Sequence, residues 1–183
     1  MDSLRILFTT IIAAMQTVSS MAAGAVKYTP MEVPAEVDTS FKTYMDYRCI
    51  TNRYSEQYRY IQTWAWCDYD GFMRADGEKD LGIEDNYYLV ALGSYYGTQI
   101  GDKYRITTDL GNTIYAVLAD CKADRDTDYT RRYSYNNDVV EFLVYTPRLP
   151  VEVLRTGSAN TYMPLCGKIT AIERIDFGGL DDV

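Results

Sequence analysis

Four runs of seven or eight residues, rich in β-branched and aromatic types, dominate the middle of the chain: YYLVALGS (87–94), DKYRITT (102–108), NTIYAVLA (112–119) and DVVEFLVY (138–145). Their length and composition predict strands. Between the second and third lies Asp109-Leu110-Gly111-Asn112, whose Gly and Asn tolerate positive φ and so permit a tight hairpin. In the third run Ile114, Ala116 and Leu118 alternate with Tyr115, Val117 and Ala119. Both faces are therefore apolar, as in a strand buried on both sides within a small closed barrel. A further run, GKITAIERIDF (167–177), supplies a strand that can close the sheet.

Outside these runs the pattern is less regular. Residues 6–15, ILFTTIIAAM, form a short apolar segment followed by a polar break and then Ala22, Ala23, Gly24 and Ala25. That order predicts a secretory signal over 1–25, with Ala23 and Ala25 in the small-residue positions of an A-x-A cleavage site. The apolar segment is too short to span a bilayer comfortably, so no stable transmembrane span is expected in the mature chain. Residues 26–40, interrupted by Pro30 and Pro34, are expected to be a linker without regular structure. Residues 41–86 form a tyrosine-rich extension in which Ser55 is a candidate cap for a short helical turn, before the chain extends toward Trp66. Gly71 to Asn86, with its glycines and charges, is expected to be a surface connection, and 178–183 a tail.

Composition narrows the functions available. The 183 residues suit one domain with an extension. The net charge of −8, spread along the chain, offers no basic footprint for nucleic acid. Histidine is absent, which removes Ser-His-Asp and Cys-His arrangements and the commonest zinc ligand together. Chemistry must therefore run on carboxylates, tyrosines, lysines or cysteines. The four cysteines, Cys49, Cys67, Cys121 and Cys166, contain no C-x-x-C spacing, and an exported chain allows any of three pairings or none. No cofactor or metal is expected.

Two carboxylates stand against the apolar pattern. Asp120 ends the strand TIYAVLAD, and partial burial there would raise its pKa toward general-acid use. Glu141 lies inside DVVEFLVY, where an acid must be paired, protonated or functional, unless the strand lies at an edge and the side chain faces water.

The run Val90-Ala91-Leu92-Gly93-Ser94-Tyr95-Tyr96-Gly97, then Ile100-Gly101-Asp102-Lys103-Tyr104, then Leu118-Ala119-Asp120-Cys121-Lys122-Ala123-Asp124, then Val139-Val140-Glu141-Phe142, resembles the double-psi β-barrel of rare lipoprotein A, expansins and related lytic transglycosylases. The likeness is closest to cell-wall-associated barrel proteins of Gram-positive bacteria and their phages, whose SYMDYR-like and SxQY-like segments are matched by Tyr44-Met45-Asp46-Tyr47-Arg48 and Ser55-Glu56-Gln57-Tyr58. The resemblance implies a mainly all-β fold, with a six-stranded double-psi barrel over 87–177 and a short helical or irregular N-terminal extension. It also implies a secreted or envelope-associated protein directed at peptidoglycan or a related polysaccharide, with Asp120 in the position of the catalytic aspartate. In such chemistry one carboxyl protonates the glycosidic oxygen and then takes a proton from the sugar hydroxyl that attacks C1. With Glu141 in the same groove, hydrolysis by a carboxylate pair becomes available. Tyr95, Tyr96 and Tyr129 are candidate sugar platforms, and Lys122 and Asp124 candidate substrate contacts. The chain departs from the family where a DRGP-like run is replaced by Asp120-Cys121-Lys122-Ala123, where Asp126 replaces an expected histidine, and where Tyr145 replaces an expected aspartate.

Competing readings use the same residues. Asp120, Asp124, Asp126 and Asp128 could converge on calcium, but an EF-hand starting at Asp124 would put Tyr129 at the glycine position and Tyr135 at the glutamate position. A solvated acidic loop neutralised by Arg125, Arg131 and Arg132 is the simpler account. A non-catalytic glycan- or protein-binding module, in a cell wall or a virion, is the alternative to an enzyme.

Overall fold

The computed structural model describes residues 26–178, so the segment expected to be a secretory signal and nearly all of the expected tail lie outside the described residues. The fold is mostly β. In chain order the elements are β1 (Val26–Met31), β2 (Thr43–Asp46), α1 (Glu56–Trp64), β3 (Ala65–Cys67), β4 (Met73–Ala75), β5 (Tyr87–Leu92), β6 (Lys103–Thr108), β7 (Thr113–Cys121), β8 (Glu141–Val144), α2 (Val151–Thr156) and β9 (Ile169–Phe177). The nine strands are hydrogen-bonded into one sheet in the order β1-β9-β6-β7-β5-β4-β3, with β8 pairing both β5 and β2. Among the described residues no helix is long and apolar enough to cross a membrane.

The five long runs become β5, β6, β7, β8 and β9. The hairpin between β6 and β7 turns on Gly111 at φ +80°, a conformation glycine adopts without steric cost. β5 runs parallel to β7 and antiparallel to β8, and β2 runs parallel to β8. Ahead of β2, Ser40 bridges to Lys168 and the Thr39 hydroxyl donates to the Ile169 carbonyl at 2.9 Å. The path β2-β8-β5-β7-β6-β9 runs through the sheet, and these two contacts lie between the segment ahead of β2 and the start of β9.

Strand alternation divides the core in two. One cluster takes Val90 and Leu92, Tyr104 and Ile106, Ala116 and Leu118, Phe142 and Ile172, with Tyr44 packed against it, so all six strands of that path contribute. Its centre is aromatic: Phe142 meets Phe41, Phe72 and Tyr88 edge to face at centroid distances of 5.2, 5.5 and 5.5 Å. Each such pair adds about 0.5–1.5 kcal/mol beyond area burial. The second cluster lies on the opposite face, where Leu89, Ala91, Val117, Ala119 and Leu143 are covered by Ile61 of α1 and by Met73 and Ala75 of β4. This cover explains why β7 is apolar on both sides.

Two segments differ from expectation. The supposed linker contains β1, which pairs with β9 along its whole length. Pro30 is accommodated because β1 ends the sheet and needs no second ladder. The supposed surface connection contains β4, all of whose residues are buried beside Phe72. Gly71, at φ +80°, lets this strand pass the backbone of Arg148, where a Cβ would lie 2.7 Å from the carbonyl carbon. Ser55 caps α1 by accepting from the Tyr58 N–H at 3.2 Å, and extended chain resumes at Ala65.

Candidate functional site: a carboxyl pair across one strand

Register brings Asp120 and Glu141 together. Ala91 of β5 is opposite Asp120 of β7 on one side and opposite Glu141 of β8 on the other. Directly opposed residues share a face, so both carboxyls lie on the face that carries α1, separated by the methyl of Ala91. Two strand spacings put their Cα atoms about 10 Å apart. On the far side of Glu141 stands Thr43 of β2, whose hydroxyl is buried without a partner.

A bulge makes this row. Val90 pairs with Leu118 but Ala91 pairs with Asp120, so Ala119 is an extra residue on β7. Strict alternation would have sent Asp120 to the Leu118 side, into the aromatic core; the inserted residue turns it to the α1 face. Bulges commonly re-aim a side chain in this way.

Both acids are half-buried and both have raised pKa values. For Asp120 burial pushes the pKa up, offset in part by the Cys121 N–H at 2.9 Å and by the Gln57 amide of α1. For Glu141 burial is again the main cause; Lys122 lowers the value while Asp138 and Asp120 raise it. A carboxyl held this way keeps its proton to higher pH than a solvated one, which suits a general acid. β8 is flanked by β2 and β5, so Glu141 is not an edge-strand acid.

The remaining expected contacts disperse. Tyr96 is 1% exposed and its hydroxyl donates to the Glu32 carbonyl at 3.1 Å, so it is a core residue with no face for a sugar. Tyr95 is 41% and Tyr129 94% exposed, the latter in the loop after β7. The Lys122 ammonium is buried, donating to the Asp138 carbonyl at 2.8 Å and pairing with the Asp138 carboxylate, so it is a structural counter-charge to the acids and not a free substrate contact. Asp124 accepts from the Ser94 hydroxyl at 2.6 Å and pairs with Arg131.

The acidic loop matches the solvated reading at the exposed pairs Arg125–Asp126 and Arg131–Asp124, whereas Asp128 and Arg132 are buried. Arg132 bridges to Glu32 and Glu36, and Asp128 accepts from the backbone N–H groups of Thr130, Arg132 and Tyr133. Among the described residues no three acidic or cysteine side chains form a metal-holding group. The four cysteines are unpaired thiols. Pattern reading missed Gln57 and Thr43, which reach the acids through long-range contacts that local pattern does not carry, and Asp138, three residues before Glu141, whose burial against Lys122 only the fold shows.

Fold and site thus define a mostly β protein with a half-buried carboxyl pair set across one strand. No family model, curated protein or solved structure matches the chain.

Proposed function

We propose that the chain is a glycan-cleaving protein directed at peptidoglycan, built on a six-stranded double-psi barrel, with Asp120 as the acid/base and Glu141 as the second carboxyl. The observation that carries this reading is the row Asp120–Ala91–Glu141, which sets two half-buried acids on one face with only a methyl between them.

The barrel reading is supported by topology. β5 and β6 are consecutive along the chain and antiparallel to each other, yet β7 lies between them and pairs with both. In the same way β8 lies between β2 and β5. Exchanging β2, β5 and β6 with β7, β8 and β9 leaves the order of the ring unchanged. Two interlocked crossings related by a pseudo-twofold are the property from which a double-psi barrel takes its name.

In the proposed reaction Asp120 gives its proton to the glycosidic oxygen as the C1–O bond breaks. The resulting carboxylate takes a proton from the sugar hydroxyl that closes on C1, so the acid is regenerated and an anhydro sugar is released. Secretion or envelope association follows from the substrate. The test is release of soluble fragments from purified sacculi, read by mass spectrometry. The wild type should yield anhydro products and Asp120→Asn should reduce turnover at least a hundredfold. Unchanged turnover in Asp120→Asn would sink the mechanism.

A non-catalytic binding module is favoured by one feature: four clefts of 340–640 Å³ lie on the surface, and none of these four is lined by Asp120 or Glu141. Retention on sacculi without release of fragments is its signature.

A further inference from the structure

Helix α1 ties the carboxyl pair to a second feature. Gln57, which meets Asp120, begins a stripe continued by Tyr60 and Trp64 at i+3 and i+7. At 1.5 Å per residue, Trp64 stands about 10 Å along the helix from Gln57. There Tyr60 and Trp64 line a cleft of about 370 Å³ together with Asp76, Glu78, Gly101 and Lys103. This volume is in the range of small-ligand sites.

The walls combine two chemistries. Trp64, at the end of its helix, leaves an indole 65% exposed, whereas Tyr60 is packed against Gly101, where a Cβ would lie 3.6 Å from its ring. Along the same lining, Lys103 pairs with Glu78, and Asp76 accepts from the Trp66 indole N–H at 3.3 Å. Two carboxylates and one paired ammonium accept from and donate to hydroxyls but offer no surplus of positive charge for an anion. A flat apolar face beside a polar rim matches a pyranose ring, whose C–H face is apolar and whose edge carries hydroxyls.

We propose that this cleft is a subsite for a neutral pyranose ring of the glycan, with Trp64 as its stacking platform and α1 as the ruler that sets its distance from Asp120. The inference rests on the glycan-directed reading above. The chain has 2 tryptophans, so Trp66→Phe leaves Trp64 as the sole indole reporter. Titration of that protein with a β-1,4-linked N-acetylglucosamine tetramer should quench its fluorescence. By calorimetry in the wild-type background, Trp64→Ala should weaken tetramer binding at least tenfold. Trp64→Tyr should retain most of it. Equal affinity in Trp64→Ala overturns the subsite, as does quenching by a stem peptide alone or by neither probe. Sacculus turnover separates the two readings. Cleavage by the wild type with no effect of Trp64→Ala on binding refutes the subsite only, whereas Trp64-dependent binding without any cleavage refutes the enzyme and leaves the subsite.

Discussion

Replacing Lys122 by methionine tests the electrostatic frame of the carboxyl pair. The side chains of Lys122 and Asp138 are only 6% and 3% exposed, and Asp138 Oδ1 already has no partner. Lys122→Met keeps the length of the stem but leaves the Asp138 carboxylate buried without its counter-charge. Breaking a buried pair in this way costs about 3–5 kcal/mol. For a domain of this size that is a fall in Tm on the order of 10 °C. The double variant Lys122→Met/Asp138→Leu removes both charges and should recover most of the loss, because an apolar pair of similar volume is close to neutral. Urea unfolding at pH 7 with a common m-value gives each corner of the cycle, and a favourable coupling of several kcal/mol is the expected result. If Lys122→Met alone costs less than about 1 kcal/mol, the pair behaves as an exposed one and the assignment of Lys122 as a buried counter-charge is wrong.

Glu141→Gln should stabilise the protein at neutral pH and lose that advantage in acid. A carboxyl whose pKa is raised on folding binds its proton more tightly in the native state. Its destabilising effect is absent below the unfolded pKa of about 4 and grows as pH rises to the folded value. Urea midpoints of variant and wild type should converge near pH 3 and separate above pH 5; a constant gap across that range contradicts the raised pKa. Gly93→Ala should cost about 2–3 kcal/mol by urea unfolding, since its Cβ would lie 2.0 Å from the Arg131 carbonyl oxygen, a backbone atom that cannot swing aside. A loss under 1 kcal/mol would mean that the loop carrying Arg131 is not held against β5.

Strands β5 to β9 were legible because each is a short branched-aromatic run bounded by turn residues, and the Ser55 cap was legible because it is local; β2 was not, because TYMD lies in the tyrosine-rich extension and pairs with β8 about a hundred residues on. The burial of β4 was not, since MRA is short and Met73 and Ala75 are buried by distant partners such as Ile61, Leu89 and Leu143. Tyr96 was misjudged for a related reason: Tyr95 and Tyr96 are adjacent and chemically identical, and the turn after β5 sends one ring to the surface and the other inward. Composition and position identified Asp120 and Glu141 as anomalous. Their common face was hidden, because counting alternate residues along β7 puts Asp120 on the wrong side, and only the extra Ala119 corrects it. Gln57 lies on another element altogether, so no period in the sequence connects it to Asp120.

The long-range pairing of the strands also governs when the molecule can form. β2 must wait for β8, and the Thr39 hydroxyl finds its acceptor 130 residues further along the chain. Neither β2, β5 and β6 nor β7, β8 and β9 contains a complete set of neighbours, so neither half is a folding unit. During synthesis β3, β4 and β5 can pair as they appear, but β2 lacks its partner until β8 is made and β1 until β9 leaves the ribosome. Such long-range closure makes folding slow and the nascent chain open to aggregation.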